Sequence, residues 1–119
     1  MLCLDTWTLM EIQENNAVAV SLLEEEFVIT NLTLAEFYGV LCRKHDEATA
    51  LYWVQKFLSY TVSIDQFTLF KVVKYRERSK KDRLSFFDCA GYVYALENGM
   101  EFVTGDNAFK GKKGVKYIA

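Results

Sequence analysis

Apolar residues along this chain fall into two kinds of block. Five are short and continuous: LCL (2–4), FVIT (27–30), TVSI (61–64), EFVT (101–104) and VKYI (115–118). Such brief apolar or β-branched runs are the pattern of strands buried on both faces. Longer stretches lie between them, with apolar and polar positions mixed at helical spacing. TLMEIQENNAVAVSLLEEE (8–26) reads as helix, broken at Asn15-Asn16. LAEFYGVLCRKH (34–45) is a helix capped by Asn31 or Thr33, and Asp46 starts another over EATALYWVQKFLSY (47–60). Asp65 caps a helix through FTLFKVVKYRER, and a last helix runs from Ser85 to a stop at Asn98-Gly99. Strands that alternate with helices predict an α/β fold: a three-layer α/β/α sandwich around a mostly parallel sheet of about four to five strands. With 119 residues and no linker or repeat, a single domain over 1–119 is expected.

Composition adds a compartment and an asymmetry. No run approaches the ~18 apolar residues of a membrane span. The first ten residues have no basic region and carry Asp5 inside their apolar run, unlike a signal peptide. Cys3, Cys42 and Cys89 stand far apart with no CxxC spacing, as buried thiols in a reducing compartment do. A cytoplasmic protein is expected. The net charge of −2 hides a division: residues 1–70 hold three basic against ten acidic side chains, and residues 71–119 eleven against six. The densest block, KVVKYRERSKKDR (71–83), has seven basic side chains against Glu77 and Asp82. It is either a solvated helix end or a surface for phosphate backbones.

Four acids stand alone in apolar surroundings. Asp5 is the sole charge in residues 1–10, Glu36 in 27–42, Asp88 in 84–96 and Asp106 in 102–109. Asp5 and Asp106 fall just past the carboxyl ends of predicted strands, where open α/β sheets place ligands. Glu36 and Asp88 fall near the starts of predicted helices, where free N–H groups favour an anion. Each has an ordinary use as well: a helix cap for Asp5, a turn for Asp106, a first-turn acid for Glu36. Asp88 is harder to account for, because Ser85 already provides a cap.

Carboxylates drawn together repel, and one stays protonated unless a cation neutralises the group. Asp88 is therefore expected to hold its proton above the usual range in the metal-free protein. An oxygen-only donor set suits Mg2+ or Mn2+, ions that activate water and screen the oxygens of a phosphodiester. Lys80, Lys81, Arg83 and Lys110 are the candidate substrate-binding residues. His45, after Arg43-Lys44, is expected at the surface.

Through LDT near the start, LAEFYGVLCRKH, LSFFDCAGYVYALENG and FVTGDNAFKG-x-x-GVKYI, in that order, the chain resembles the PIN domain. More specifically it is similar to the ribonuclease toxins of VapBC-type toxin–antitoxin pairs. The resemblance spans essentially the whole chain. It implies a metal-dependent endoribonuclease hydrolysing RNA phosphodiesters, with Asp5, Glu36, Asp88 and Asp106 as catalytic residues around Mg2+ or Mn2+. It also implies a homodimer and a small antitoxin that blocks the pocket. Thr6 and Thr104 match hydroxyl positions of the family and take supporting roles. Trp7 stands where the family carries a small residue such as Ser. Its indole either narrows the pocket or turns into the core, leaving Thr8 to supply a hydroxyl.

Two other functions compete with this one. A phosphatase with an aspartyl nucleophile wants a second Asp two positions on, and Trp7 occupies that place. A non-catalytic PIN-like module binding RNA or a protein is the alternative, favoured by Trp7 and opposed by the complete set of acids. Gly39 and Gly91 each follow an acid by three residues, on the same helical face. Mid-helix glycine costs ~1 kcal/mol against alanine. The expected reason is close approach of the two acid-bearing helices. The helices over 33–44 and 46–60, rich in Leu51, Tyr52, Trp53, Phe57 and Leu58, supply either core or a partner-binding face.

Overall fold

The computed structural model describes residues 1–119. Leu2–Leu4 (β1), Phe27–Thr30 (β2), Thr61–Val62 (β3), Glu101–Thr104 (β4) and Val115–Tyr117 (β5) form one sheet in the order β3-β2-β1-β4-β5. Every neighbouring pair is parallel, with Leu4 in register with Val103 across β1 and β4. The helices are Thr6–Gln13 (α1), Ala17–Ser21 (α2), Asn31–Lys44 (α3), Glu47–Phe57 (α4), Gln66–Arg78 (α5) and Phe86–Glu97 (α6).

The sheet divides two apolar layers, and β1 shows how so short a strand serves both. Leu2 and Leu4 point to the side of Leu9, Ile12, Phe37, Leu41 and Phe57, contributed by α1, α3 and α4. Cys3 points to the opposite side, with Val72, Cys89, Val93 and Phe102, under α5 and α6. Alternation of side chains across a strand requires a strand buried on both faces to be apolar at every position. The expected three-layer α/β sandwich is the fold observed.

Capping residues set the boundaries. Asn15 takes a left-handed conformation (φ 63) and Asn16 caps α2, which is the break expected at that pair. Asp46, Asp65 and Ser85 cap α4, α5 and α6 as expected. α3 begins earlier than its sequence reading: Thr30, the last residue of β2, caps it by accepting the Thr33 N–H at 3.0 Å. Asn31 instead accepts the N–H of Ile64 at 3.3 Å, so the segment after Val62 binds a side chain and β3 is only two residues long.

The chain builds outward from β1 through β2 to β3, then crosses to β4 and β5 on the other side. Strand order therefore reverses between β1 and β4. At such a switch point adjacent connections diverge and leave a crevice at the carboxyl ends of the strands.

Candidate functional site

Asp5 and Asp106 lie just past the carboxyl ends of β1 and β4, the two strands at that switch point, and each begins a turn of helix. Asp5 follows β1; its N–H donates to Val103 of β4, at 3.2 Å, and its Oδ1 accepts from Thr8 N at 2.8 Å to cap α1. Only 3% of it is exposed. Asp106 lies two residues past β4, and its Oδ1 accepts the Ala108 N–H at 2.9 Å, capping the 3-10 turn Asn107–Phe109. Buried Thr104 holds this turn: its Oγ1 accepts the Asp106 N–H at 3.0 Å.

Glu36 and Asp88 come from helices on opposite layers. Glu36, half-buried on α3, accepts a short hydrogen bond at Oε1 from the Thr6 hydroxyl. Asp88 is the third residue of α6 and forms a capping box with Ser85. Its N–H donates to Ser85 Oγ at 3.1 Å, and its Oδ2 accepts the Ser85 N–H at 3.2 Å. The sequence reading kept Asp88 apart from that cap; the two are one motif, and the S-x-x-D spacing was its signal.

Electrostatics tie the acids together through Asp88. Burial pushes Asp5 up from 3.8 to about 7, against hydrogen bonds from Thr104 and Thr8, with the Asp88 charge adding to the rise. Glu36 is raised by burial and by Asp88, and the Thr6 hydrogen bond and the Arg43 charge oppose this. Asp88 itself is raised by burial, then by Asp106, against its bonds to Ser85. Each of the other three acids thus interacts with Asp88. These shifts mark a place where negative charge is crowded and poorly solvated.

No three His, Cys, Asp or Glu side chains converge closely enough to enclose an ion by themselves. Mg2+ keeps several waters and takes one or two carboxylates directly, so a loosely gathered, all-oxygen set fits it better than a site for a fully protein-ligated ion. Asp5, Asp88 and Asp106 have the right chemistry; Asp88 and Asp106 each commit one oxygen to a cap, and Asp5 is held by Thr104 as well as by its cap partner Thr8.

The side chains around the acids differ in part from the expectations. Trp7 does not enter the core: it packs against neither apolar layer. Its six-membered ring lies on Gly105, where an added Cβ would stand 2.4 Å from ring carbons. The indole therefore sits beside the turn that holds Asp106. The Thr8 hydroxyl donates to Val103 O at 3.0 Å, and the Thr8 side chain also stands against Asp5, where it opposes the rise that burial causes. Of the glycines, Gly91 packs tightly, its missing Cβ 2.8 Å from the Phe102 ring and 3.5 Å from the Thr33 hydroxyl of α3. Gly39 meets no other helix; its nearest neighbour is the Arg43 guanidinium, at 3.4 Å from the Cβ position. The gap at Gly39 lets Arg43 fold back along α3 toward Glu36, a role the sequence reading missed.

Among the expected basic residues, Lys80 pairs with Glu77 at 3.0 Å and Arg83 lines a cleft with Arg76. Lys81 is exposed, and the Lys110 ammonium lies over the Tyr117 ring, 5.3 Å from its centroid. His45 is exposed at the end of α3, as expected.

A central crevice of caps and carboxylates in this strand order defines a PIN-like α/β domain. The family model described as PIN domain matches residues 2–115, and the chain belongs to that family. No curated protein matches it in sequence. Among solved structures it is similar to VapC20 of Mycobacterium tuberculosis, a Sarcin-Ricin loop cleaving toxin, with a TM-score of 0.84 and 16% identity over 100% of both chains. It is similar to a chain of a toxin–antitoxin complex from Klebsiella pneumoniae, with a TM-score of 0.74 and 21% identity over 99% of this chain and 100% of that one. VapBC2 from Rickettsia felis, bound to a DNA fragment from its promoter, gives 0.76 and 16%, over 98% of this chain and 96% of that one. At such identities the likeness is one of fold.

Proposed function

We propose that the protein is a Mg2+- or Mn2+-dependent endoribonuclease of the toxin type, hydrolysing RNA phosphodiesters at Asp5, Glu36, Asp88 and Asp106. The observation that carries this is the placement of Asp5 and Asp106 past the carboxyl ends of β1 and β4, at the switch point of a PIN fold, with Asp88 and Glu36 near enough for their charges to be felt. Asp5, Asp88 and Asp106 would hold the metal, with Glu36 at its edge. When bound, the ion supplies charge to neutralise the phosphate oxygens and lowers the pKa of a water. The protein's part is positional. Thr104 and Thr8 fix Asp5, Ser85 fixes Asp88, and Thr6 fixes one oxygen of Glu36. The other oxygen of Glu36 is then free to hold a water and accept its proton.

A small antitoxin and a second copy of the chain are the partners proposed with this activity, in the cytoplasm. An apolar groove of 480 Å³ supports a protein partner; Ile12, Val20, Leu23, Trp53, Phe57 and Tyr60 line it. No helix is long and apolar enough to cross a membrane. The non-catalytic alternative has one observation of its own: Asp5, Asp88 and Asp106 all have structural work as caps.

Cleavage of single-stranded RNA in Mn2+ decides between the two. Asp88→Asn keeps an oxygen for the Ser85 N–H, so α6 should still form. Activity should nevertheless fall more than about 100-fold, as it should in Asp5→Ala, since even the outer partners of metal ligands are worth 10–100-fold. Equal cleavage by wild type and both variants, or none by wild type, would reject the nuclease.

A further inference from the structure

Beyond the acids, the C-terminal end of α5, the 3-10 turn Lys80–Asp82 and the start of α6 enclose a cleft of 420 Å³. Its walls carry Arg76, Lys80 and Arg83, with Ser79 and Ser85. Glu77, the one acid present, is engaged by Lys80 at 3.0 Å. Neither arginine has a carboxylate partner. Arg76 donates from Nε to Leu84 O at 3.2 Å, which fixes the guanidinium and leaves its terminal nitrogens available. Arg83 sits in the left-handed region (φ 55, ψ 35), where glycine is the usual occupant. The loop is not loose, because Asp82 is bound by Lys112 at 2.9 Å. Ser85 joins the cleft to the acids: it lines the cleft and exchanges two hydrogen bonds with Asp88.

We propose that this cleft is a phosphate subsite for single-stranded RNA, holding a backbone phosphate that flanks the one at the acids. This rests on the ribonuclease reading and deepens it. Two unpaired guanidiniums in one cleft match a phosphate, which arginine binds through paired N–H donors. Backbone contact of this kind carries affinity and register, not base choice. Lys81 and Lys110, outside the cleft, have no part in it.

The test uses short fluorescein-labelled single-stranded RNAs of two unrelated sequences. Binding is followed by anisotropy in EDTA across a range of KCl. Arg83→Gly removes the guanidinium and suits the left-handed backbone, so its melting temperature should hold or rise. Its affinity should drop severalfold for both sequences. The slope of log K against log salt should become shallower by about 0.7 for each phosphate that is no longer neutralised. Arg83→Asn, which also tolerates that conformation, should behave the same way. Unchanged affinity and slope in both variants overturn the subsite even if wild type cleaves RNA, and so does a wild type that fails to bind RNA at low salt. Binding that weakens in the variants, with a wild type that never cleaves in Mn2+, upholds the subsite and rejects only the ribonuclease.

Discussion

Asp88 accepts the Ser85 N–H at Oδ2, Asp5 accepts the Thr8 N–H at Oδ1, and Asp106 accepts the Ala108 N–H at Oδ1. A cap does more than begin a helix here. Fixing one oxygen of a carboxylate fixes the direction of the other, which is how a rigid scaffold holds a reactive group without a dedicated support. Capping and catalysis are thus compatible uses of one side chain, and sequence alone could not separate them. The same limit applied to Trp7, whose placement depends on a contact 98 residues away in the chain, at Gly105. That contact makes a prediction. Gly105→Ala should destabilise the protein by about 1–3 kcal/mol, because the added methyl overlaps the indole and must displace it. Trp7→Ser should remove most of that penalty in the double variant, a coupling that chemical melts of a double-mutant cycle measure. Additive effects would show that the indole can move aside at no cost.

Helices and strands were legible where one residue type decides the matter. Asp46, Asp65 and Ser85 cap their helices, and the five apolar runs are strands, because capping and apolar burial are local or nearly so. What was not legible came from contacts between elements. Asn31, one of the two caps expected for α3, instead accepts the Ile64 N–H 33 residues on, and Thr30 takes the cap. The two mid-helix glycines make the point most sharply, since one explanation was expected for both. A Cβ at 91 would strike the Phe102 ring of β4 at 2.8 Å, whereas a Cβ at 39 would meet only a flexible guanidinium at 3.4 Å. Gly91→Ala should therefore lower stability, as α6 is forced off the sheet. Gly39→Ala should raise it by up to about 1 kcal/mol through helix propensity. Urea denaturation of the two variants reads both signs, and a loss in each would restore the close helix approach expected from the sequence.

Across the whole molecule, four acids, Asp5, Glu36, Asp88 and Asp106, come together near the β1–β4 switch point, and the basic segment 71–83 ends in the cleft that Ser85 shares with Asp88. The crevice is costly without a cation, and the cost depends on pH in a definite direction. Asp5 rises from 3.8 to about 7, and Glu36 and Asp88 are also raised. In the metal-free protein the folded state holds the Asp5 proton up to about pH 7 while the unfolded chain releases it near pH 4, and Glu36 and Asp88 add to the effect in the same direction. Raising pH from about 4 to 7 thus favours unfolding, by about 1.4 kcal/mol per pH unit for each proton that only the folded state retains. Asp46 and Asp65 act oppositely and at lower pH: their caps hold both below the usual range, so their contribution is lost only as pH falls below 3.8. In EDTA the melting temperature should peak near pH 4–5 and fall by on the order of 10 °C by pH 8. Mn2+ needs the ionised carboxylates, so it should do little at pH 5 and recover most of the loss at pH 8. Asp5→Asn, neutral at every pH, should flatten the EDTA profile. A wild-type melting temperature that is level from pH 5 to 8 and indifferent to Mn2+ would mean that the buried acids are neither crowded nor built for a cation.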